Sequence, residues 1–234
     1  MDRDRKDSTS LDAGAAQNAS RSAKIFLFFA NMMNHLPDGA LIEELKEIHK
    51  AGFPDNLFQI GLSKSIRQGI NEINHYLSKM SETSDKDIEL QLAVDWTRLF
   101  RGVSKGYGPP PPYEGVYRSQ DNIGVETIQV INNYYRKHDV GLENNIQNRP
   151  DYLGFEFDFV RHLFEAEAEA WDDGDQKSAV NFHMEGMRFL ANHIEPWVPQ
   201  FTKEALPYAN TEFYKGFLRI MQGVIIDLFQ VQDS

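Results

Sequence analysis

Apolar residues recur along this chain at helical spacing. Leu62, Ile66, Ile70, Ile73, Leu77 and Met80 are separated by 4, 4, 3, 4 and 3 positions, the single stripe that an amphipathic helix needs. After the polar break "SETSDK", Ile88, Leu92, Trp96 and Leu99 resume the pattern, and Val125, Ile128, Ile131 and Tyr135 repeat it further on. Leu153, Phe157, Val160, Phe164, Ala168 and Trp171 make another stripe, followed by Val180, Met184, Met187, Ala191 and Ile194. The last segment, from about Asn210, is apolar on two faces. Phe213, Phe217, Ile220, Val224, Leu228 and Val231 share one, while Tyr214, Leu218, Met221 and Ile225 line the second. A helix apolar on two faces is expected at the centre of a bundle.

The polar positions supply the punctuation. Asp38 stands where it can cap a helix that Gly52 closes, Gly174 ends a helix with Asp175 ready to cap the next, and Pro196 and Pro199 break another. No segment alternates with period two for more than a few residues, and no Asn-Gly or Asp-Gly joins β-branched runs. The expected fold is therefore all-α, a bundle of about eight or nine helices. The opening "MDRDRKDSTSLDAGAAQN" is polar and without a sustained period, which predicts a mobile tail over 1–18 and a first helix from about Ala19. An N-terminal helical part over 19–138, containing a proline-rich loop at 103–122, is then joined by a polar hinge at 139–150 to a C-terminal helical part over 151–234.

Composition narrows the function classes. The 234 residues contain no cysteine, which removes disulfides, iron–sulfur sites, thiolate zinc and a cysteine nucleophile together. A formal charge of −11 without a basic patch argues against nucleic acid. The excess is uneven, since 141–175 holds ten carboxylates against Arg149 and Arg161, a net of −8. The longest apolar run, Ile25 to Met33, is far short of the ~20 residues that span a bilayer. It reads as a buried helix, which places the protein in the cytoplasm.

Candidate chemistry is sparse. His138-Asp139 could seed a metal site of the kind found in helical phosphohydrolases, yet the seven histidines form no tight ligand pattern. Glu165, Glu167 and Glu169 fan over more than half a helix circumference, which reads as a solvated acidic face able to attract a cationic partner. No phosphate-binding glycine loop and no nucleophile elbow are present. The residues point to a binding protein with no catalytic group and no cofactor. A metal-dependent hydrolase at His138-Asp139 and a helical scaffold using the acidic face are the alternatives.

The loop "LFRGVSKGYGPPPPYEGVY" (99–117) carries the chemistry instead. Four prolines fix φ near −65° and remove amide donors, giving a stiff segment of low entropy cost. Trp96, Leu99 and Phe100 lead into it, and Tyr107, Tyr113 and Tyr117 flank the prolines. Rings held this way suit a peptide-binding surface, or equally a rigid connector with its tyrosines in the core.

Several stretches together resemble the TorD/DmsD/NarJ group of redox-enzyme maturation chaperones. They are "WTRLFRG" (96–102), "PPPPYEGVY" (109–117), "RPDYLGFEFDFVRHL" (149–163), "HIEPWVPQF" (193–201) and "FYKGFLRI" (213–220), in the family's order from about residue 20 to 230. The resemblance implies an all-helical, cytoplasmic, non-enzymatic chaperone. It would bind the twin-arginine signal peptide of an apo molybdoenzyme, delay its export until cofactor insertion, and act as a monomer or as a homodimer that exchanges helical halves. It also implies signal-peptide-binding positions at Trp96, Leu99, Phe100, Pro112, Tyr113, Tyr117, Asp151 and Tyr152. Such a peptide presents two cations and then an apolar run, which calls for a carboxylate beside an aromatic groove. The family usually carries an acid, a proline and Asp-His at the hinge motif. Here Asn148-Arg149-Pro150-Asp151-Tyr152 has no acid before the proline and tyrosine in place of histidine, and Arg149 sets a cation where a cationic peptide would bind.

Overall fold

Ten α-helices form in the computed structural model, which describes residues 2–51, 57, 63–103, 106–118, 124–141 and 149–230. They are α1 (Asp2–Asn34), α2 (Gly39–Ala51), α3 (Lys64–Lys79), α4 (Asp85–Phe100), α5 (Glu114–Arg118), α6 (Val125–Lys137), α7 (Leu153–Asp172), α8 (Gln176–Phe189), α9 (Val198–Ala205) and α10 (Glu212–Gln230). A π-helical turn, Leu190–Ile194, extends α8. The described residues contain no strand. One more helix is present than the upper expectation, because the proline loop ends in the five-residue α5. Residues 142–148, most of the expected hinge, parts of the expected loop at 104–105 and 119–122, and the expected helix end at Gly52 lie outside the described residues.

The expected N-caps are in place. Asp38 Oδ1 accepts from Leu41 N at 3.1 Å and Asp175 Oδ1 accepts from Ser178 N at 3.1 Å. Ser63 and Ser84 do the same for α3 and α4. The N-terminal expectation is corrected, since α1 starts at Asp2 and not near Ala19. The physical reason is alanine: Ala13, Ala15, Ala16 and Ala19 favour helix, and Ala16, Ala19 and Ala23 are small enough to lie buried against the bundle.

α1 packs along α7, and α3 packs along α10. Helices from before and after residues 139–150 therefore share one core. Phe217 of α10 ties the two pairs together, with its ring 5.8 Å from Phe29 and 6.2 Å from Phe100, while Phe29 lies 5.3 Å from Phe157. Both apolar faces of α10 are buried from Phe213 to Ile225, as its two stripes required. Ile25, Phe26, Phe29, Ala30 and Met33 are buried as well, so the apolar run of α1 is core. α3 and α10 approach backbone to backbone, because a Cβ on Gly69 would lie 2.5 Å from the Gly216 carbonyl oxygen. Only glycine permits that crossing.

The acidic stretch is only partly a solvated face. Glu167 is 5% exposed and accepts from Trp171 Nε1, while Asp151 and Glu156 are fully buried. No helix among the described residues is long and apolar enough to cross a membrane.

Candidate functional site

The proline loop leaves the end of α4 at Gly102, whose φ of +68° and close contact with Pro111 (3.0 Å from where a Cβ would sit) suit glycine alone. It is then drawn onto the start of α7. Leu153 N donates to the Pro112 carbonyl at 3.0 Å and Glu114 N donates to the Asp151 carbonyl at 3.0 Å. These bonds make a single antiparallel bridge between Tyr113 and Tyr152, whose rings are 5.4 Å apart. The aromatic loop and the beginning of the acidic stretch thus meet, as the peptide-binding expectation required.

Where the eight expected residues lie is a different matter. Trp96 (6% exposed), Leu99, Phe100, Pro112, Asp151 and Tyr152 are buried, and only Tyr113 and Tyr117 are partly open. Trp96 Nε1 donates to the Met32 carbonyl at 3.1 Å, and Phe100 packs edge-on against Tyr214 and Phe217. The Tyr152 hydroxyl donates to the Met33 carbonyl at 2.8 Å, and burial pushes its pKa far up. Tyr152 is therefore a buried strut between α1 and α7. Tyr117 stacks on Trp197 at 5.1 Å and donates to the Pro110 carbonyl at 3.0 Å, which ties the proline turn to the Trp197 ring.

At this junction the buried Asp151 and the half-buried Tyr113 together hold Arg149, whose side chain is 35% exposed. Asp151 Oδ2 accepts from Gly115 N at 3.0 Å and from Arg149 NH2 at 2.5 Å, and Oδ1 accepts from Arg149 Nε at 2.9 Å. The same guanidinium lies 4.9 Å over the Tyr113 ring. A carboxylate bound through two parallel hydrogen bonds, with a ring face above, is the strongest arrangement a protein offers a guanidinium.

Behind this pair is a buried polar cluster that sequence periodicity did not reveal. Glu114 accepts from Arg118 and lies 3.0 Å from His193 Nδ1, and Arg118 also donates to the Asn192 carbonyl at 2.5 Å. Both carboxyl oxygens of Glu156 lie within the core without a conventional hydrogen-bond partner. Burial, with Glu114 and Asp151 beside it, holds Glu156 well above the usual carboxylate range. Its signal was present in "LGFEFDFV", an acid set among phenylalanines.

His138 packs 5.6 Å from Phe159 and 3.8 Å from Glu185 Oε2, with its pKa lowered chiefly by burial. Among the described residues no group of three or more histidine and carboxylate side chains is placed to hold a metal ion.

An apolar hollow of about 420 Å³ opens beside the loop. Leu36 (54% exposed), Val94 and Tyr107 (74% exposed) form its apolar rim, and Ala93, Thr97, Arg98 and Val103 complete the lining. It shares Val94 with a larger hollow of about 680 Å³ running past Leu90 to the start of α10. Exposed apolar side chains, Leu36, Leu90, Val94 and Tyr107, line these two hollows.

Residues 61–203 match the family described as nitrate reductase delta subunit. Curated relatives include Chaperone protein TorD of Vibrio vulnificus (strain YJ016), 25% identical over 167 residues that cover 70% of this chain and 74% of that protein. Chaperone protein TorD of Vibrio cholerae serotype O1 (strain M66-2) is 23% identical over 160 residues, covering 68% and 70% respectively.

Proposed function

The chain belongs to the nitrate reductase delta subunit family, in agreement with the TorD/DmsD/NarJ resemblance, and from that membership we propose that it is a cytoplasmic maturation chaperone for a molybdoenzyme. It binds the twin-arginine signal peptide of the apo enzyme and holds it back from export until the cofactor is in place. Relatives named as TorD chaperones support the chaperone role.

The observation that carries the peptide reading is the seat formed by Asp151 and Tyr113, which already holds a guanidinium through two hydrogen bonds and a ring face. A peptide arginine offers the same planar fork, whereas lysine offers a point charge that cannot bond both carboxylate oxygens in parallel. The apolar run that follows the arginines would lie over Leu36, Val94 and Tyr107, the exposed apolar side chains of the hollow beside the loop. The prolines and the Tyr117 bond to Pro110 hold Tyr113 in position before the ligand arrives, so little ordering entropy opposes binding.

Calorimetric titration with a twin-arginine peptide and its twin-lysine counterpart tests the reading. Arginine is expected to bind about tenfold or more tightly, the value of one or more charge-assisted hydrogen bonds. Equal affinities would overturn it.

A further inference from the structure

We propose that Arg149 is a built-in stand-in for the ligand: its guanidinium fills the seat made by Asp151, the Tyr113 ring and the Gly115 amide, and a partner's arginine binds by displacing it. This rests on the function proposed above and adds to it the regulation of that site.

Three observations support exchange over permanent pairing. First, among the described residues Arg149 is the side chain that hydrogen-bonds the Asp151 carboxylate. Among the described residues Asp151 takes one backbone donor, Gly115 N, and every other hydrogen bond the carboxylate accepts comes from Arg149. A buried carboxylate left without a cation is costly, so Arg149 fills the seat in most molecules and an arriving guanidinium has to replace it.

Second, the occupant can leave. The Arg149 side chain is 35% exposed while the Asp151 side chain is fully buried, so the guanidinium covers the carboxylate from the solvent side. Arg149 precedes Asp151 by two residues, across Pro150, and turning outward breaks no hydrogen bond within a helix. Third, the space is shaped for this group. A Cβ on Gly115 would lie 2.9 Å from Gly124 Cα and 3.0 Å from both Arg149 NH2 and Asp151 Oδ2, so glycine here leaves room for the neighbouring backbone and for the fork together. The nearby cation Arg101 lies over the Trp96 ring at 5.6 Å.

The consequence is a binding threshold. A ligand must exceed the intramolecular Arg149, which a bidentate arginine with an attached apolar run achieves and an isolated cation does not. The observed affinity is the intrinsic affinity reduced by the fraction of molecules whose seat is open.

Replacing Arg149 is the test. In Arg149→Ala the twin-arginine peptide is expected to bind about tenfold more tightly than in the parent protein, as an occupied seat becomes an open one. Millimolar methylguanidinium should raise the melting temperature of Arg149→Ala but not of the parent, and methylammonium should raise neither. Arg149→Lys, which keeps the charge and loses the fork, should bind the peptide with intermediate affinity and serves if the alanine variant fails to fold. Weaker peptide binding by both variants, with no response to methylguanidinium, would overturn the proposal and make Arg149 a structural clasp. A methylguanidinium response in Arg149→Ala without peptide binding by any form would leave the seat standing and defeat the twin-arginine reading instead.

Discussion

Asp95 and Asp151 are two buried aspartates that each hold an arginine, and they are built for different ends. Asp95 accepts from Asn210 N at 3.0 Å, from Thr211 N and Thr211 Oγ1 at 2.8 Å each, and from Arg98 NH1 at 3.2 Å. Its main donors belong to the turn that starts α10, and a negative charge there also faces the positive end of that helix. Among the described residues Asp151 takes one backbone donor and otherwise relies on a single side chain that is one-third exposed. A carboxylate satisfied by the backbone is locked into the fold. One satisfied by a movable guanidinium is available for exchange.

Removing each carboxylate should separate the two designs. Asp95→Ala strands two amides, a hydroxyl and an arginine at the start of the central helix, and is expected to cost about 3–5 kcal/mol in chemical denaturation. Asp151→Ala strands one amide while Arg149 turns to water, and should cost about 1–3 kcal/mol yet abolish the preference for arginine over lysine. Equal losses of stability at the two sites would erase the distinction.

Glu156 sharpens the comparison with a smaller effect, as a third buried carboxyl that has neither backbone donors nor a guanidinium. Its pKa is raised in the fold, so the folded chain holds this proton more tightly than the unfolded one. Its contribution is intact below the ordinary carboxylate range and is lost as pH rises from there toward the folded value. Glu156→Gln keeps the neutral form. The variant should melt with the parent at pH 4 and about 2–4 °C higher at pH 8, as expected for roughly 1 kcal/mol in a chain of this size. A variant that melts lower at pH 8 would show that Glu156 works as an anion.

The sequence was most legible where one force decides the outcome. The two stripes of α10, the buried run of α1 and the caps at Asp38 and Asp175 follow from burial or from a single hydrogen bond, and all are in place. It was least legible where neighbours distant in sequence decide. The alanines of early α1 look like a tail until α7 covers them, and Glu167 looks solvated until the fold buries it. Gly69 and Gly216 carry no periodic signal although they set the crossing of α3 and α10. At the candidate site, the pairing of the proline loop with the start of α7 was foreseen. The burial of Trp96, Leu99 and Phe100 was not, because the stripe that leads into the loop is also the stripe that packs on α10. Arg149 was read as a cation opposing the ligand, and only the three-dimensional contacts show it sitting on Asp151 and Tyr113.

The most direct measurement is an isotope-filtered NOE experiment on the complex with a twin-arginine peptide labelled at its arginine side chains. The account predicts cross-peaks from the peptide arginine Hδ protons to the Tyr113 ring, accompanied by loss of the Arg149 contact to that ring. Cross-peaks confined to Leu90, Leu36 or Tyr107, with the Arg149 contact to Tyr113 unchanged, would contradict it.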